Sequence, residues 1–411
     1  MVLPQGHRGG PRAVNPSRLF VSACYTVEGI NSFATVIYFN YLYFFFRDSY
    51  SFNDRQNLLL AALIGLMYTV SSWQAGRFAQ KFGNFTALKI GFTIMSAGLA
   101  AGLAVQNHLA PPFAADHRLA LEIALACVVN LGMCFIWPVL EALVSEGPNP
   151  ARAVGIYNMT WAIANATAFF IGGTLIKFCG YAAMFYVPVA LMLLQLGLVF
   201  WLQKIYWVKT EPHGHNLPPD PHRPAPALAK KFQAMAWLAN PFAYIAINTL
   251  IAMLPGIAAK FQLSPMAAGF ICSLWCFARV AAFFVLWKWT AWHYRFRWLV
   301  AAFALLIISF AVILIAPSLA VILAAQLFFG VAIGLIYYSS LFYAMDASET
   351  KSEHGGIHEA AIGVGNCLGP AAVAAALWYA PANPTIGAWA VSALLTLGLA
   401  GLFAVRGNPK T

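Results

Sequence analysis

The sequence predicts an all-α polytopic membrane protein in which twelve transmembrane helices form two six-helix bundles with both termini in the cytoplasm. Of its 411 residues, 61% are hydrophobic and only 9% charged, against about 25% charged in soluble domains, so a water-soluble fold of this composition would not stay in solution. Apolar runs of about 20 residues recur along the whole chain, the length that crosses a bilayer as a helix, and they are continuous rather than alternating, which argues against a barrel of strands. A single long polar connector stands midway and divides the runs six and six. This composition excludes most soluble enzymes and nucleic-acid binders.

The elements follow in order. Residues 1–18 form a basic tail, and no A-x-A-like cleavage site follows the first apolar run, which is therefore expected to stay as the first helix. Spans are expected near 19–44, 55–75, 86–106, 120–144, 153–176, 181–203, 232–256, 265–287, 298–316, 319–343, 356–379 and 385–405. The first is long enough to imply tilt or an extension beyond the lipid. Residues 204–231, containing EPHGHNLPPDPHRPAP, read as a solvent-exposed linker between an N-terminal bundle at 19–203 and a C-terminal bundle at 232–405, and residues 406–411 are a short tail.

Charge sets the orientation. Eighteen of the 24 Lys and Arg fall on the face carrying the tails and the linker, five fall on the other, and Arg279 lies inside a span. The positive-inside rule places the richer face in the cytoplasm. The same bias accounts for most of the net charge of +11 without a nucleic-acid partner, since the basic residues form no stripe with aromatic companions. Of the seven cysteines, Cys24, Cys127, Cys134, Cys272, Cys276 and Cys367 fall in apolar runs and read as free, buried thiols, while Cys179 sits beside a short connector. Neither disulfides, nor a metal site, nor any cofactor is expected.

The halves carry an internal repeat. GIYNMTWAIANATAFF from Gly155 and GIHEAAIGVGNCLGPA from Gly356 both open with Gly-Ile and place an asparagine ten residues on, Asn165 and Asn366. Upstream, Gly132 precedes Ala142 by ten residues just as Gly334 precedes Ala344. An offset of roughly 200 residues lays span five over eleven and span four over ten.

Between spans two and three, Gly76-Arg77-Phe78-Ala79-Gln80-Lys81-Phe82-Gly83 resembles the Gly-x-x-x-Asp-Arg/Lys-x-Gly loop of the major facilitator superfamily, at the same place in a 6+6 layout. Gln80 stands where that family usually has Asp, and Asn84 where a further basic residue is common. The resemblance covers essentially the whole chain. It implies a secondary transporter in which two bundles rock about a substrate site near the midplane. Gly356-x8-Gly365-x3-Gly369-Pro370 resembles a pattern that antiporters of the family carry in span five, but here it lies in span eleven, and span five has only Gly172-Gly173.

Polar residues at membrane depth are the site candidates, because a charge at a helix centre costs about 2.5–3.5 kcal/mol on insertion scales. Glu28 lies about ten residues into span one with Tyr25 and Asn31 one turn away on either side. It reads as a proton-coupling carboxylate or as a structural one bonded to another helix. Arg279 needs an acid, carbonyls or an anionic ligand: it pairs with Glu28, offers its fork to a carboxylate or phosphate, or snorkels to the nearer surface. His358 and Glu359 open span eleven, where a proton role competes with simple helix-dipole stabilisation of the glutamate. Asn158, Trp161 and Asn165 share one face of span five, and the repeat sets Asn366 opposite Asn165. These four are expected to line the cavity, with Trp137, Tyr337 and Tyr338 as aromatic lining. Interhelical hydrogen bonding is the competing role for the amides. Gly76, Arg77, Lys81 and Gly83, with Glu141, Glu146 and Arg152 flanking the loop between spans four and five, read as a cytoplasmic gate.

The favoured function is a proton-coupled symporter of a small polar or anionic organic solute, working as a monomer in a bacterial inner membrane. Efflux of amphipathic compounds is the runner-up, and a non-transporting receptor or scaffold comes third. An enzyme is not expected, because the sequence offers neither paired intramembrane aspartates nor a histidine cluster, and no Walker-type phosphate loop.

Overall fold

The computed structural model describes residues 18–107, 117–144, 150–208, 226–347, 351–383 and 385–407. Among them are twelve helical spans long and apolar enough to cross a membrane. Span one is Arg18–Tyr50, span two Asp54–Phe82, span three Asn84–Gln106, span five Pro150–Cys179 and span six Ala183–Val208. The second half supplies span seven Pro226–Lys260, span nine Phe296–Ile315, span ten Leu319–Ala347, span eleven Lys351–Tyr379 and span twelve Ile386–Gly407. Span one is 33 residues long, beyond the ~20 that a bilayer requires, as its sequence anticipated.

Spans four and eight are not the continuous helices that their hydropathy suggested. Span four is built of Arg118–Cys134 and Trp137–Val144. Pro138 has no N–H to return to the carbonyl of residue 134, so the ladder breaks at Phe135 and Ile136 and restarts. Span eight is built of Pro265–Cys272 and Leu274–Lys288, with the Ser273 hydroxyl donating to the Phe270 carbonyl at 3.1 Å.

The connectors are tight. Asn53 caps span two: its side chain accepts from the Gln56 N–H at 3.0 Å, and the Gln56 side chain accepts from the Asn53 N–H at 2.9 Å. At the same end Arg47 of span one pairs with Asp54 at 2.7 Å. Gly83 turns the chain from span two into span three at φ +93°, a conformation that a residue with a β-carbon resists, so the last glycine of the loop motif has a backbone reason.

The two halves meet along two seams of close backbone approach. In the first, span two lies against span eleven: Gly65 faces the Asn366 backbone, Gly363 packs so that a β-carbon there would stand 2.6 Å from the Thr69 nitrogen, and Gly356 meets the α-carbon of Gly76. In the second, span five lies against span eight, with Gly155 under the Trp287 indole and Gly173 under the Pro265 carbonyl. Small residues let helices approach this closely in lipid, where dispersion rather than water exclusion drives association. On its other side span eleven packs against span seven, where a β-carbon on Gly369 would stand 2.6 Å from the Thr249 hydroxyl and Gly365 abuts the Pro241 carbonyl. The glycines of the span-eleven motif thus seat one helix between two neighbours.

Candidate functional site

A cavity of about 160 Å³ lies between the halves. Its walls come from spans one, two, four and five of the first half and seven, eight, ten and eleven of the second, so the internal repeat contributes equivalent helices from each side. Spans three, six, nine and twelve contribute none of the lining. The charged groups facing it are Glu28, Glu141, Arg279 and Glu359.

Span one presents Glu28, Ser32, Val36, Phe39 and Tyr43 along one helical stripe. Glu28 is fully buried, and the Ser32 hydroxyl one turn on donates to its Oε1 at 2.7 Å. The Tyr157 phenol and the Trp137 indole stand beside it as further donors. Glu28 is thus part of the cavity wall.

Glu141 sits differently from its expected place. Trp137 and Glu141 are four residues apart on the short helix Trp137–Val144, so they share the face that looks into the cavity, and Glu141 is only 5% exposed. Its carboxyl group, that of Glu359 and a His358 ring nitrogen all lie within 4.8 Å of one another. The phenol of Tyr68 donates to Glu359 Oε2. Two carboxyl groups this close in a desolvated site require a shared proton or a cation between them. Among the described residues this is the grouping able to offer three ligand atoms to a metal ion, where the sequence led to the expectation of no metal site.

Arg279 is 4% exposed and has no carboxylate within ion-pair distance among the described residues, so the pairing with Glu28, one of the three arrangements open to it, is not formed. Its guanidinium lies between two indoles instead, 4.5 Å from the Trp161 ring centre and 5.0 Å from that of Trp275. Cation–π contacts are worth about 2 kcal/mol when desolvated, enough to hold the group without neutralising it. The Trp161 indole N–H donates to Asn158 Oδ1 at 3.0 Å, which fixes the ring under the arginine. Arg279 Nε is buried with no partner.

Trp161 and Asn165 line the cavity, joined by Tyr157 one turn earlier, whereas Asn158 stands behind the wall as the partner of Trp161. Asn366 lines the opposite side and accepts from the Asn248 amide, while Asn165 Oδ1 has no partner. Trp137 and Tyr337 line it too. Tyr338 does not, and packs against Phe283 and Trp292 instead. Tyr25 donates to the Ala153 carbonyl at 3.2 Å, outside the cavity, and Asn31 is fully buried off the lining. His358 lies behind Tyr337, with ring centres 5.9 Å apart. Tyr68, Tyr157, Tyr244, Asn248 and Trp275 were not singled out from sequence, although Tyr157 and Trp275 each lie four residues before a residue that was, Trp161 and Arg279.

The expected gate is divided. Gly76 takes part in the contact with Gly356, but Arg77 and Lys81 are exposed, over Trp73 and Phe82 respectively. Glu141, turned inward, is not at Lys81. Arg152 is exposed and lies near Tyr25, and Glu146 falls outside the described residues.

Compared with known families, the chain matches the Major Facilitator Superfamily over residues 21–370. The protein belongs to that superfamily of membrane transporters. No curated protein sequence matches it. Among solved structures it is similar to the human organic anion transporter MFSD10 (TETRAN), with a TM-score of 0.66, 12% sequence identity, and 94% of this chain and 99% of that one covered. At that identity the likeness concerns the fold.

Proposed function

We propose that the protein carries a small organic anion by alternating access, in symport with protons, and that its tails and linker face the cytoplasm. The observation that carries this reading is Arg279: a buried guanidinium facing the cavity, braced by two indoles and, among the described residues, paired with no acid. A guanidinium held by rings and not by an acid keeps its donor fork open to an anionic or strongly accepting group. The cavity's other charged groups are carboxyls, which an anion would meet comfortably only if they hold protons. Glu28, buried at the cavity wall, and the Glu141 and Glu359 pair supply the places for those protons.

Nine aromatic side chains in the lining favour a substrate with an apolar or aromatic body. The same lining supports the second reading, efflux of amphipathic compounds. A thermal-shift screen of the purified protein separates the two readings, using carboxylates, phosphates and sulfonates against neutral and cationic amphipaths. Stabilisation by anions, followed by uptake of the best one into proteoliposomes under an imposed proton gradient, is the expected result. Stabilisation by cationic amphipaths alone would overturn it.

A further inference from the structure

Away from the cavity, Arg295, Arg297 and Arg406 line an open concavity of about 670 Å³ where the connector between spans eight and nine meets the end of span twelve. All three are exposed, and none has a carboxylate within ion-pair distance among the described residues. We infer that this concavity binds the headgroup of an anionic phospholipid in the leaflet on the linker side.

The site is held in place. Trp292 is buried and donates its indole N–H to the Leu286 carbonyl at 3.1 Å, and the Tyr294 N–H donates to the Tyr343 hydroxyl at 2.9 Å, so the connector is pinned at two points before Arg295. Arg406 lies 4.4 Å from the ring centre of Phe296, which in turn meets Phe403 edge-on at 5.3 Å. An aromatic pair, rather than an acid, therefore positions that guanidinium and leaves its donors outward.

The level in the bilayer follows from the neighbours. Trp289 and Trp298 pack together with ring centres 4.9 Å apart, and paired indoles beside a helix end belong to the headgroup layer. Val300, Ala301 and Phe403 complete the lining, and Phe403 is about half exposed on the outer surface of a span. The concavity thus offers a phosphate three planar donor forks and an acyl chain an apolar wall immediately beside them. Arginines serving only to orient the chain have no need to converge on one concavity with an apolar flank. Basic pockets at this depth recognise anionic headgroups.

The test uses the full chain purified in mild detergent, with dioleoyl phosphatidylglycerol, phosphatidylcholine or inorganic phosphate added, read by native mass spectrometry and thermal shift. The wild type should retain phosphatidylglycerol and be stabilised by it over phosphatidylcholine. The triple variant Arg295→Gln, Arg297→Gln, Arg406→Gln should lose about a hundredfold in that affinity, from about fivefold per arginine at the headgroup plane. A charge-matched control, Arg8→Gln, Lys204→Gln, Lys230→Gln, should keep it. Should the triple variant fold poorly, Arg297→Gln alone is read in the same way for its fivefold loss. Equal retention by wild type and variant, or equal loss in the control, would overturn the site. Stabilisation by inorganic phosphate matching that by phosphatidylglycerol would overturn the lipid as its occupant. All these outcomes are independent of which substrate, if any, the central cavity takes.

Discussion

Tyr68 and Glu359, 291 positions apart in the chain, are joined by a hydrogen bond from phenol to carboxylate. The bond ties span two to span eleven, and so the first half of the molecule to the second, at the wall of the cavity. Under the alternating access proposed above, the two halves would break this bond or carry it along.

Tyr68→Phe removes the tie and leaves the packing. A hydrogen bond to a charged group is worth about 1.5–3 kcal/mol, so states in which spans two and eleven part should gain about tenfold or more in population. Spin labels on Lys81→Cys and Lys351→Cys, in a background without native cysteines, report the change as a longer distance component. An unaltered distance distribution would show that the bond does not restrain the halves.

Glu28→Gln should abolish proton-driven accumulation while leaving binding or exchange partly intact, since the amide keeps the size of the group and the Ser32 contact but cannot release a proton. Wild-type pH dependence of uptake in this variant would remove Glu28 from the coupling role.

Arg279→Lys keeps the charge and loses the planar group that fits between the Trp161 and Trp275 rings. Loss of the fork and of part of the stacking should lower affinity for an anionic substrate about tenfold or more, with folded protein retained. Loss of folded protein in detergent, in place of lost affinity, would make the residue structural.

Gly363→Ala tests the seam between the halves. Its β-carbon would stand 2.6 Å from the Thr69 nitrogen, and both sides of that contact are helix backbone, so overpacking of about 1–3 kcal/mol is expected. The melting temperature should fall and transport with it. Gly197→Ala, where nothing lies within 4 Å, is the control and should leave both unchanged.

Cysteine at Asn165 or Asn366, in a background lacking the seven native cysteines, should react with a membrane-impermeant thiol reagent at a rate that changes when substrate is added, because both side chains line the cavity. Both positions silent from both sides under every condition would make these asparagines packing groups and move the substrate site elsewhere.

Hydropathy located all twelve spans, because burial in lipid leaves a continuous signal twenty residues long. It passed over the breaks in spans four and eight, since hydropathy averages across Pro138 and Ser273. Among the residues that line the cavity, Glu28, Trp161, Asn165 and Asn366 were legible because a polar or amphipathic group at membrane depth needs a reason. Glu141 was misplaced for a definite cause: its closeness to a loop suggested the surface, while its spacing of four from Trp137 already put both on one face.

What the amino-acid sequence determined by itself is the membrane class, the number of spans, the repeat between the halves and the short set of charges that lipid depth makes expensive. All of these follow from composition, periodicity and spacing, which are local properties of the chain. The tertiary structure alone decided that Arg279 is braced by Trp161 and Trp275 rather than paired with Glu28, and that Tyr68 and Glu141 gather around Glu359. Those partners lie on different spans, and which spans meet is set by where Gly65, Gly363, Gly155 and Gly173 let backbones touch, a matter of three-dimensional packing that no single helix's pattern records.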